Sequence, residues 1–451
     1  MSLLFEHIPD ATFLVDQHDL GSYQRDESHV QGLSPWACIR PRSPKALKAL
    51  VKFAQQEGWA LIPRGSGTGK AGGCLADQER SVLVDFAEWP QELTIDPIGM
   101  QLTASCSVPL RKVKEEAEAH HLFYPPDPNS WMHCSFGGSL ATNAGGPNAC
   151  KYGMTRNWIV SIDCLMSDGD IHTFGIHGTK DNAGLNLTQL LIGSEGTLGF
   201  ITKATARLLP KPKEFLTLLI SFDNMKDLIR LPGNLSRSGY KPSAIEFFDP
   251  FVLQELRNGG PPEARKIQGR AFAIVEFDHE GCTSDLFLAS CESLFSTATH
   301  FQVASDHRQR EDLWALRRLT STFLKERYPS KISEDITIPL TRLESFFDQL
   351  ERLNLDCVTY GHLADGNLHV NFLNREHKAV DDFEDHIFNL FKLTKQHGGS
   401  LSGEHGIGLA KKKAFAELTD PYTLRAMMQI KQSLDPFNIF NPSKIFFSQK
   451  F

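Results

Sequence analysis

The chain has 451 residues, of which 41% are hydrophobic and 22% are charged, a composition typical of a soluble globular protein with two or three domains. Its 54 acidic and 47 basic residues give a formal net charge of -7, which argues against a nucleic-acid partner because no basic excess neutralises phosphates. The nine cysteines are scattered and contain no C-x-x-C pair, which predicts reduced thiols and no iron–sulfur framework. No apolar run is long enough to cross a bilayer, so we expect a cytoplasmic protein, with peripheral docking at the inner membrane left open.

The first predicted helix begins at Ser43-Pro44, where an N-cap hydroxyl and a proline at the first helical position favour helix initiation. Apolar residues then recur on one face, Gly58 ends the helix, and residues 59–62 follow as a short buried strand. This order predicts a helix packed beside a strand at the start of the first domain.

The segment 64–73, RGSGTGKAGG, follows that strand and contains five glycines. It matches G-x-G-x-x-G, but it leads to another strand at 81–86 and not to a helix, so a dinucleotide fingerprint is excluded. A P-loop is also excluded, because Ala71 stands where a hydroxyl should hold magnesium. The glycines instead predict a loop whose backbone N–H groups bind an anion such as a pyrophosphate.

A second small-residue segment, FGGSLATNAGG at 136–146, follows a rigid proline segment at 124–128. Two such walls in one domain predict a large, flat or extended ligand. A hairpin at 159–174 and a third glycine-rich turn at 191–202, from which Glu195 could accept hydrogen bonds, complete this region. The composition changes at 210–213, which predicts a domain boundary there.

The second half of the chain contains strands predicted at 216–222, 271–277, 336–339 and 358–373 and a helix at 310–325. That helix carries Arg317 and Arg318, either of which could anchor a substrate carboxylate.

The polar residues of YGHLADGNLHVNF at 360–372 and of SGEHGIG at 402–408 form a candidate metal set. We predict His369 and Asn371 on one side of a strand and His362 on the turn before it. The two histidines and Glu404 make a His/His/carboxylate set that divalent metals accept. His405, next to that carboxylate, would then move protons. The spacing does not name the metal, and it differs from the H-E-x-x-H of zinc proteases.

The motifs PRGSGTG, PPDP, GGSLATNAGGP, KYGMTR, IGSEGTLG, GHLADGNLHV, GEHGIG and LDPFNIFNP occur along nearly the whole chain. In this order they resemble the FAD-dependent D-2-hydroxy acid dehydrogenases of the vanillyl-alcohol-oxidase type flavoprotein superfamily. That family includes D-lactate dehydrogenases, glycolate oxidase FAD subunits and D-2-hydroxyglutarate dehydrogenases.

The resemblance implies an α+β fold with a two-subdomain FAD-binding domain and an α/β cap domain that carries an antiparallel sheet. On this basis we expect an N-terminal segment at 1–30, the FAD-binding domain at 31–210, the substrate- and metal-binding cap at 211–410, and a C-terminal segment at 411–451 that returns to the FAD domain.

Carried over residue by residue, the resemblance implies FAD contacts in all three glycine-rich regions. The residues are Arg64, Gly65, Ser66, Gly67, Thr68, Gly69, Pro126, Asp127, Gly137, Gly138, Thr142, Asn143, Gly145, Gly146, Gly153, Glu195, Gly196 and Ile201. It also implies that His362, His369 and Glu404 bind zinc or manganese, that His405 is the proton acceptor, and that Arg317 and Asn371 bind substrate. No histidine matches a covalent flavin attachment, so we expect dissociable FAD.

The implied reaction is oxidation of a D-2-hydroxy acid to the 2-oxo acid, with D-lactate as the first expectation. Ser333 stands where some 2-hydroxyglutarate enzymes have lysine, which weakens the case for a dicarboxylate, and Lys70 departs from the small or apolar residue common in related loops. D-2-hydroxyglutarate and glycolate oxidation stay open, as do an electron-relay subunit and a metal-dependent hydrolase without flavin. The expected partners are a small 2-hydroxy acid and an electron acceptor, whether quinone, cytochrome or electron-transfer flavoprotein, and a homodimer also stays open.

Overall fold

A computed structural model describes residues 8–178 and 180–447 of the chain. These residues divide into two units, and each is described separately. The first contains the described residues up to Ala144, residues Met154–Lys211 and those from Glu404 onward, and the second contains Gly145–Gly153 and Pro212–Gly403. The domain boundaries expected from the sequence stay a prediction.

The helices are given first in chain order. They are α1 (Gln17–Leu20), α2 (Pro44–Glu57), α3 (Leu110–Ala119), α4 (Phe136–Thr142), α5 (Ala149–Tyr152), α6 (Leu187–Leu191), α7 (Met225–Arg237), α8 (Pro250–Gly259), α9 (Asp285–Leu294), α10 (His307–Arg327), α11 (Leu343–Arg352), α12 (Glu384–Gln396), α13 (Lys412–Leu418) and α14 (Pro421–Leu434). Short 3-10 helices lie at Gly21–Gln24, Phe86–Glu88, Thr155–Asn157, Pro262–Lys266, Leu340–Arg342 and Val380–Phe383.

The first unit contains two main sheets. Its strands are β1 (Ala11–Leu14), β2 (Ala37–Pro41), β3 (Ala60–Arg64), β4 (Ser81–Asp85), β5 (Leu93–Asp96), β6 (Gln101–Ser105), β7 (Leu122–Phe123), β8 (Ile159–Leu165), β9 (Ile171–Gly175), β10 (Phe200–Arg207) and β11 (Leu209–Pro210). A four-stranded sheet has the order β1-β2-β4-β3, with β2, β4 and β3 parallel. A five-stranded antiparallel sheet has the order β5-β6-β10-β8-β9, and β7 pairs with β11.

The predicted helix after Ser43 is confirmed as α2. The Ser43 side chain accepts a hydrogen bond from the Ala46 N–H, and Gly58 ends the helix in the left-handed conformation with φ of 66°. Apolar residues of α2 such as Leu47 and Leu50 are buried with Ile39 of β2. This core holds β3 in place, and the glycine-rich loop begins where β3 ends.

The second unit is built on a seven-stranded antiparallel sheet. Its strands are β12 (Leu216–Phe222), β13 (Ala244–Phe248), β14 (Ala271–Phe277), β15 (His300–Val303), β16 (Ile332–Thr337), β17 (Cys357–His362) and β18 (Asn367–Phe372). Their order is β15-β12-β14-β13-β17-β18-β16. Leu313 and Leu316 of α10 belong to a buried cluster with Leu219 of β12 and Ile274 of β14, so α10 packs on one face of this sheet.

The C-terminal part of the chain, as far as it is described, belongs to the first unit. Phe440 forms a parallel bridge with Leu61 of β3, and the Asn441 amide donates to the Gly73 carbonyl at 2.9 Å. Among residues 8–178 and 180–447, none of the helices has the length and apolar character needed to cross a bilayer.

Lys431 is a buried cation that connects α14 with other segments of the first unit. Its Nζ donates to the carbonyl oxygens of Thr197 and Phe440, each at 2.7 Å, and pairs with the Asp435 carboxylate, which is fully buried. Burial lowers the pKa of Lys431, and Asp435 opposes that shift. The ammonium therefore depends on these oxygens for its charge.

We predict that Lys431→Met lowers the free energy of unfolding by about 3–5 kcal/mol, because it leaves the Asp435 carboxylate buried without its cation. Arg425→Met, on the exposed side of α14, is the control and should change stability by no more than about 0.5 kcal/mol. Urea denaturation followed by fluorescence measures both. Equal stabilities of the two variants would contradict the role given to Lys431.

Candidate functional site

The loop that follows β3 lies against the beginning of α4. A Cβ atom added to Gly65 would lie 2.6 Å from Ser135 Oγ and 3.7 Å from Gly138 Cα, so a larger residue would have to displace the Ser135 hydroxyl. The Ser135 hydroxyl caps α4 by accepting from the Gly138 N–H at 3.1 Å. The two small-residue walls predicted from the sequence therefore meet within the first unit.

The glycine-rich loop is fixed by residues that precede β2. The Asp26 carboxylate accepts the Gly72 N–H at 3.0 Å, and the Arg64 guanidinium donates to the Arg25 carbonyl at 3.0 Å. Gly67 has a φ of 72°, a conformation that other residues rarely adopt. The loop is thus a defined turn between two strands and not a loose linker.

The wall at 136–146 forms a helix over its first part, where the sequence indicated only small residues. A Cβ on Gly137 would lie 2.5 Å from Cys106 Cβ, so Gly137 lets α4 pack directly on the residue that follows β6. Asn143 ends α4 with a φ of 50°, and its side-chain oxygen accepts the Arg156 N–H at 2.8 Å. Thr142 donates its hydroxyl to the Gly138 carbonyl at 3.1 Å.

Other predicted cofactor residues lie at several places in the two units. Asp127 pairs with Lys114 at 3.4 Å, Gly196 has a φ of 71° beside Pro63, and Ile201 lies on β10. Gly145, Gly146 and Gly153 belong to the second unit, where they flank α5. In that unit Lys151 and Tyr152 both contact the Asp278 carboxylate, the tyrosine hydroxyl at 2.6 Å.

Glu195 holds the loop that follows His405. Its carboxylate accepts the Ile407 N–H at 2.7 Å and the Gly408 N–H at 2.8 Å, and its carbonyl accepts from the Asn441 amide at 2.8 Å. Glu195 is buried, which raises its carboxyl pKa, and the two N–H groups oppose that rise. A Cβ on Gly406 would lie 2.7 Å from the same carboxylate, so the sequence G-I-G fits this contact.

Glu404 and His405 are adjacent residues with little exposed side chain. His405 Nε2 lies 3.7 Å from Glu404 Oε1, and only 10% and 11% of their side chains are exposed, respectively. Gly403, which precedes them, donates its N–H to Asp335 of β16. A Cβ on Gly403 would lie 1.9 Å from the Asn367 amide nitrogen, so this position requires glycine.

His362 and His369 lie on neighbouring strands of the seven-stranded sheet. The prediction that His362 lies on a turn is wrong, because it is the last residue of β17. Its ring lies 5.2 Å from the His369 ring, at an interplanar angle of 81°, and both side chains are buried. The potential ligand atoms of His362, His369 and Glu404 all lie within 4.8 Å of one another.

Glu246 is the residue at this site that the sequence reading missed. It is fully buried on β13 directly opposite His362 of β17, and its Oε1 lies 2.5 Å from His362 Nδ1. Its Oε2 accepts a hydrogen bond from Arg317 Nε. Burial opposes ionisation of Glu246, but His362 and Arg317 outweigh it and hold its pKa below the usual value. A glutamate in the middle of the apolar strand sequence AIEFF was the signal that could have found it.

The two predicted substrate residues are also buried in the second unit. Arg317 lies on α10, contacts Glu246 and places its guanidinium 5.2 Å from the centre of the Tyr360 ring. Asn371 lies two residues after His369 on β18, and its side-chain oxygen accepts from Lys331 Nζ at 2.9 Å. Ser333 lies opposite Asn371 on β16.

Two family models match the chain. The model described as FAD linked oxidases, C-terminal domain, matches residues 211–445, and the model described as FAD binding domain matches residues 35–175. The larger match covers just over half of the chain.

Relatives with assigned activities match over most of their length. A D-lactate dehydrogenase of Archaeoglobus fulgidus is 31% identical over 90% of this chain and 90% of its own. The glycolate oxidase subunit GlcD of Bacillus subtilis is 29% identical over 94% of this chain and 92% of its own. A D-2-hydroxyglutarate dehydrogenase of Stutzerimonas stutzeri is 28% identical over 96% of each chain.

Solved structures show the fold. The 4-ethylphenol oxidase of Gulosibacter chungangensis matches with a TM-score of 0.78 over 97% of this chain and 94% of its own, at 14% identity. The p-cresol methylhydroxylase structure matches with a TM-score of 0.77 over 97% of this chain, also at 14% identity. The α+β fold of the vanillyl-alcohol-oxidase type expected from the sequence is confirmed.

We predict that Glu195→Gln lowers the free energy of unfolding by about 1–3 kcal/mol, because a glutamine offers one acceptor oxygen to two buried N–H donors. The amide hydrogens of Ile407 and Gly408 should also exchange faster with deuterium. Glu417→Gln, at an exposed position of α13, is the control. Unchanged exchange at these two amides would show that Glu195 does not hold the loop.

Proposed function

This chain belongs to the family of FAD linked oxidases, and on that premise we propose that it oxidises a D-2-hydroxy acid to the 2-oxo acid. D-lactate is the first candidate substrate. The observation that carries the proposal is the group of His362, His369 and Glu404, whose ligand atoms lie within 4.8 Å of one another. The names of the relatives, a D-lactate dehydrogenase, a D-2-hydroxyglutarate dehydrogenase and a glycolate oxidase subunit, support the substrate class.

The first unit offers a cradle that suits FAD. Gly65 of the loop lies so close to the start of α4 that a Cβ atom on it would be 2.6 Å from Ser135 Oγ, so backbone and small side chains meet there. We propose that the predicted FAD residues bind the cofactor there without a covalent bond. When bound, FAD supplies the two-electron acceptor for the hydride that leaves C2 of the substrate.

The donor set of the second site suits zinc or manganese. Two imidazoles and a carboxylate are ligands that both ions accept. We propose that His362, His369 and Glu404 hold such an ion, which would supply a Lewis acid that lowers the pKa of the substrate hydroxyl.

The reaction removes one hydride from C2 and one proton from the C2 hydroxyl. We propose that the His405 imidazole accepts the proton, because it lies beside the ligand Glu404 in a loop that Glu195 fixes through Ile407 and Gly408. Arg317 is proposed to hold the substrate carboxylate, because its guanidinium is a planar, permanently charged donor whose orientation Glu246 fixes. Asn371, two residues after His369, is proposed to face the substrate.

The choice among substrates depends on the surroundings of Asn371. Ser333 of β16 is paired with Asn371 of β18. Some 2-hydroxyglutarate enzymes have lysine at the position of Ser333, so the serine favours a monocarboxylate substrate. Lys331 is nevertheless bonded to Asn371 and places a cation near the same position, so D-2-hydroxyglutarate is the second candidate. Glycolate oxidation, or service as a flavin-binding electron-relay subunit, is the alternative that the glycolate oxidase relatives support.

Further expectations belong to this proposal. We propose that the protein acts in the cytoplasm or at the periphery of the inner membrane. It would pass its electrons to a quinone, a cytochrome or an electron-transfer flavoprotein. A homodimer is the proposed assembly, and light scattering of the purified protein tests it.

We predict that D-lactate bleaches the flavin absorbance of the purified, anaerobic protein and that L-lactate does not. D-2-hydroxyglutarate and glycolate complete the panel. His405→Asn should lower the rate constant of bleaching by about 10²–10⁴-fold, because the hydroxyl proton loses its acceptor. Stopped-flow absorbance measures this rate.

The control for this experiment is His397→Asn. His397 is a buried histidine that bonds to the Leu393 carbonyl and has no part in the proposed chemistry. It should leave the rate of bleaching unchanged, and both variants should retain FAD. A full rate of bleaching in His405→Asn would remove His405 from the mechanism, and no bleaching by any acid of the panel would contradict the proposed reaction.

A further inference from the structure

Glu246 connects two residues that the proposed function uses separately. It is fully buried on β13. One carboxylate oxygen lies 2.5 Å from His362 Nδ1, and the other accepts from Arg317 Nε. The proposed metal ligand and the proposed carboxylate anchor therefore bond to opposite oxygens of one rigid group.

The strand register fixes this arrangement. Glu246 and His362 are directly paired on neighbouring antiparallel strands, so their side chains leave the same face of the sheet. Arg317 reaches that face from α10, which packs on it. Its guanidinium also lies over the ring of Tyr360, which is paired with His369 in the register of β17 and β18. Backbone hydrogen bonding thus sets where Glu246 stands relative to both histidines.

We propose that Glu246 is a positioning residue that orients His362 for metal binding and Arg317 for the substrate carboxylate. This inference rests on the proposed function and adds a residue to it.

The chemistry of the imidazole explains the first role. A carboxylate at Nδ1 fixes the tautomer in which Nδ1 carries the hydrogen, so the lone pair lies on Nε2, the atom that would coordinate a metal. The same hydrogen bond prevents rotation of the ring and makes Nε2 more basic. Metal-ligating histidines commonly depend on such a partner.

The geometry of the guanidinium explains the second role. A planar guanidinium binds a carboxylate along one edge, and the bond from Nε to Glu246 fixes the plane in which that edge lies. The direction of this edge is then fixed by the same carboxylate that fixes His362. One substitution should therefore disturb metal affinity and substrate binding together.

Glu276 provides a matched control on the same sheet. It is also a buried glutamate, on β14, and it accepts from Arg310 at 2.8 Å and from the Trp314 indole at 2.7 Å. The hydrogen bonds described for its carboxylate come from Thr217, Arg310 and Trp314, and neither histidine is among these donors. A purely structural role predicts equal effects of changing Glu246 or Glu276.

The test compares Glu246→Gln and Glu276→Gln in the FAD-loaded protein. Glutamine has one acceptor oxygen for two donors, so either Arg317 loses its acceptor or His362 loses the bond that keeps the hydrogen on Nδ1 and the lone pair on Nε2. Competition with a chelating dye measures the affinity for Zn²⁺ and for Mn²⁺. Flavin absorbance measures FAD content, and thermal unfolding measures stability.

We expect Glu246→Gln to lower metal affinity by about 10–100-fold, the usual effect of removing the hydrogen-bond partner of a metal ligand. Its KM for the hydroxy acid should remain raised at saturating metal, because Arg317 has lost its fixed partner. Glu276→Gln should keep the wild-type metal affinity and KM, and both variants should retain FAD. Where a glutamine variant fails to fold, Glu246→Asp and Glu276→Asp are compared in the same way.

Equal metal affinities of the Glu246 and Glu276 variants would overturn this inference while leaving the proposed function intact. If the wild-type protein binds neither Zn²⁺ nor Mn²⁺, the metal-dependent mechanism fails, and this inference fails with it.

Discussion

The second unit depends on the neutralisation of carboxylates buried on one face of its sheet. Glu276, Glu246 and Asp335 lie on that face, and each is almost fully buried. An unpaired buried carboxylate costs several kcal/mol, so every one requires donors supplied by another element. Arg310 and Arg317 of α10 serve Glu276 and Glu246, while the Gly403 N–H serves Asp335. The helix and the segment before Glu404 are thereby fixed relative to the two histidines.

The first unit has a different requirement, because its glycine-rich segments would have to bring backbone close to a large ligand. Small residues leave room for the ligand beside the backbone. These segments then need polar contacts to fix their conformation. Asp26 does so for the glycine-rich loop, and Glu195 does so for the loop after His405. Both use a carboxylate that accepts backbone N–H groups, so the rigidity of these loops comes from a few polar contacts and not from an apolar core.

The sequence predicted most of the candidate site and less of its support. The glycine-rich motifs and the two histidines were recognisable because their chemistry is local. Glu246 was not, because its partners lie 71 and 116 residues away in sequence and only the strand register brings them together. The helix α4 was also missed, since two glycines disfavour a helix by about 1 kcal/mol each. Close packing of Gly137 on Cys106 outweighs that preference.

The proposed mechanism depends on one metal ion shared by His362, His369 and Glu404. Anomalous diffraction from crystals of the metal-loaded protein, recorded on both sides of the zinc or manganese absorption edge, tests it most directly. We expect a single strong peak within bonding distance of the two imidazoles and the carboxylate. A peak bound to other residues, or no peak in crystals that retain FAD, would contradict it.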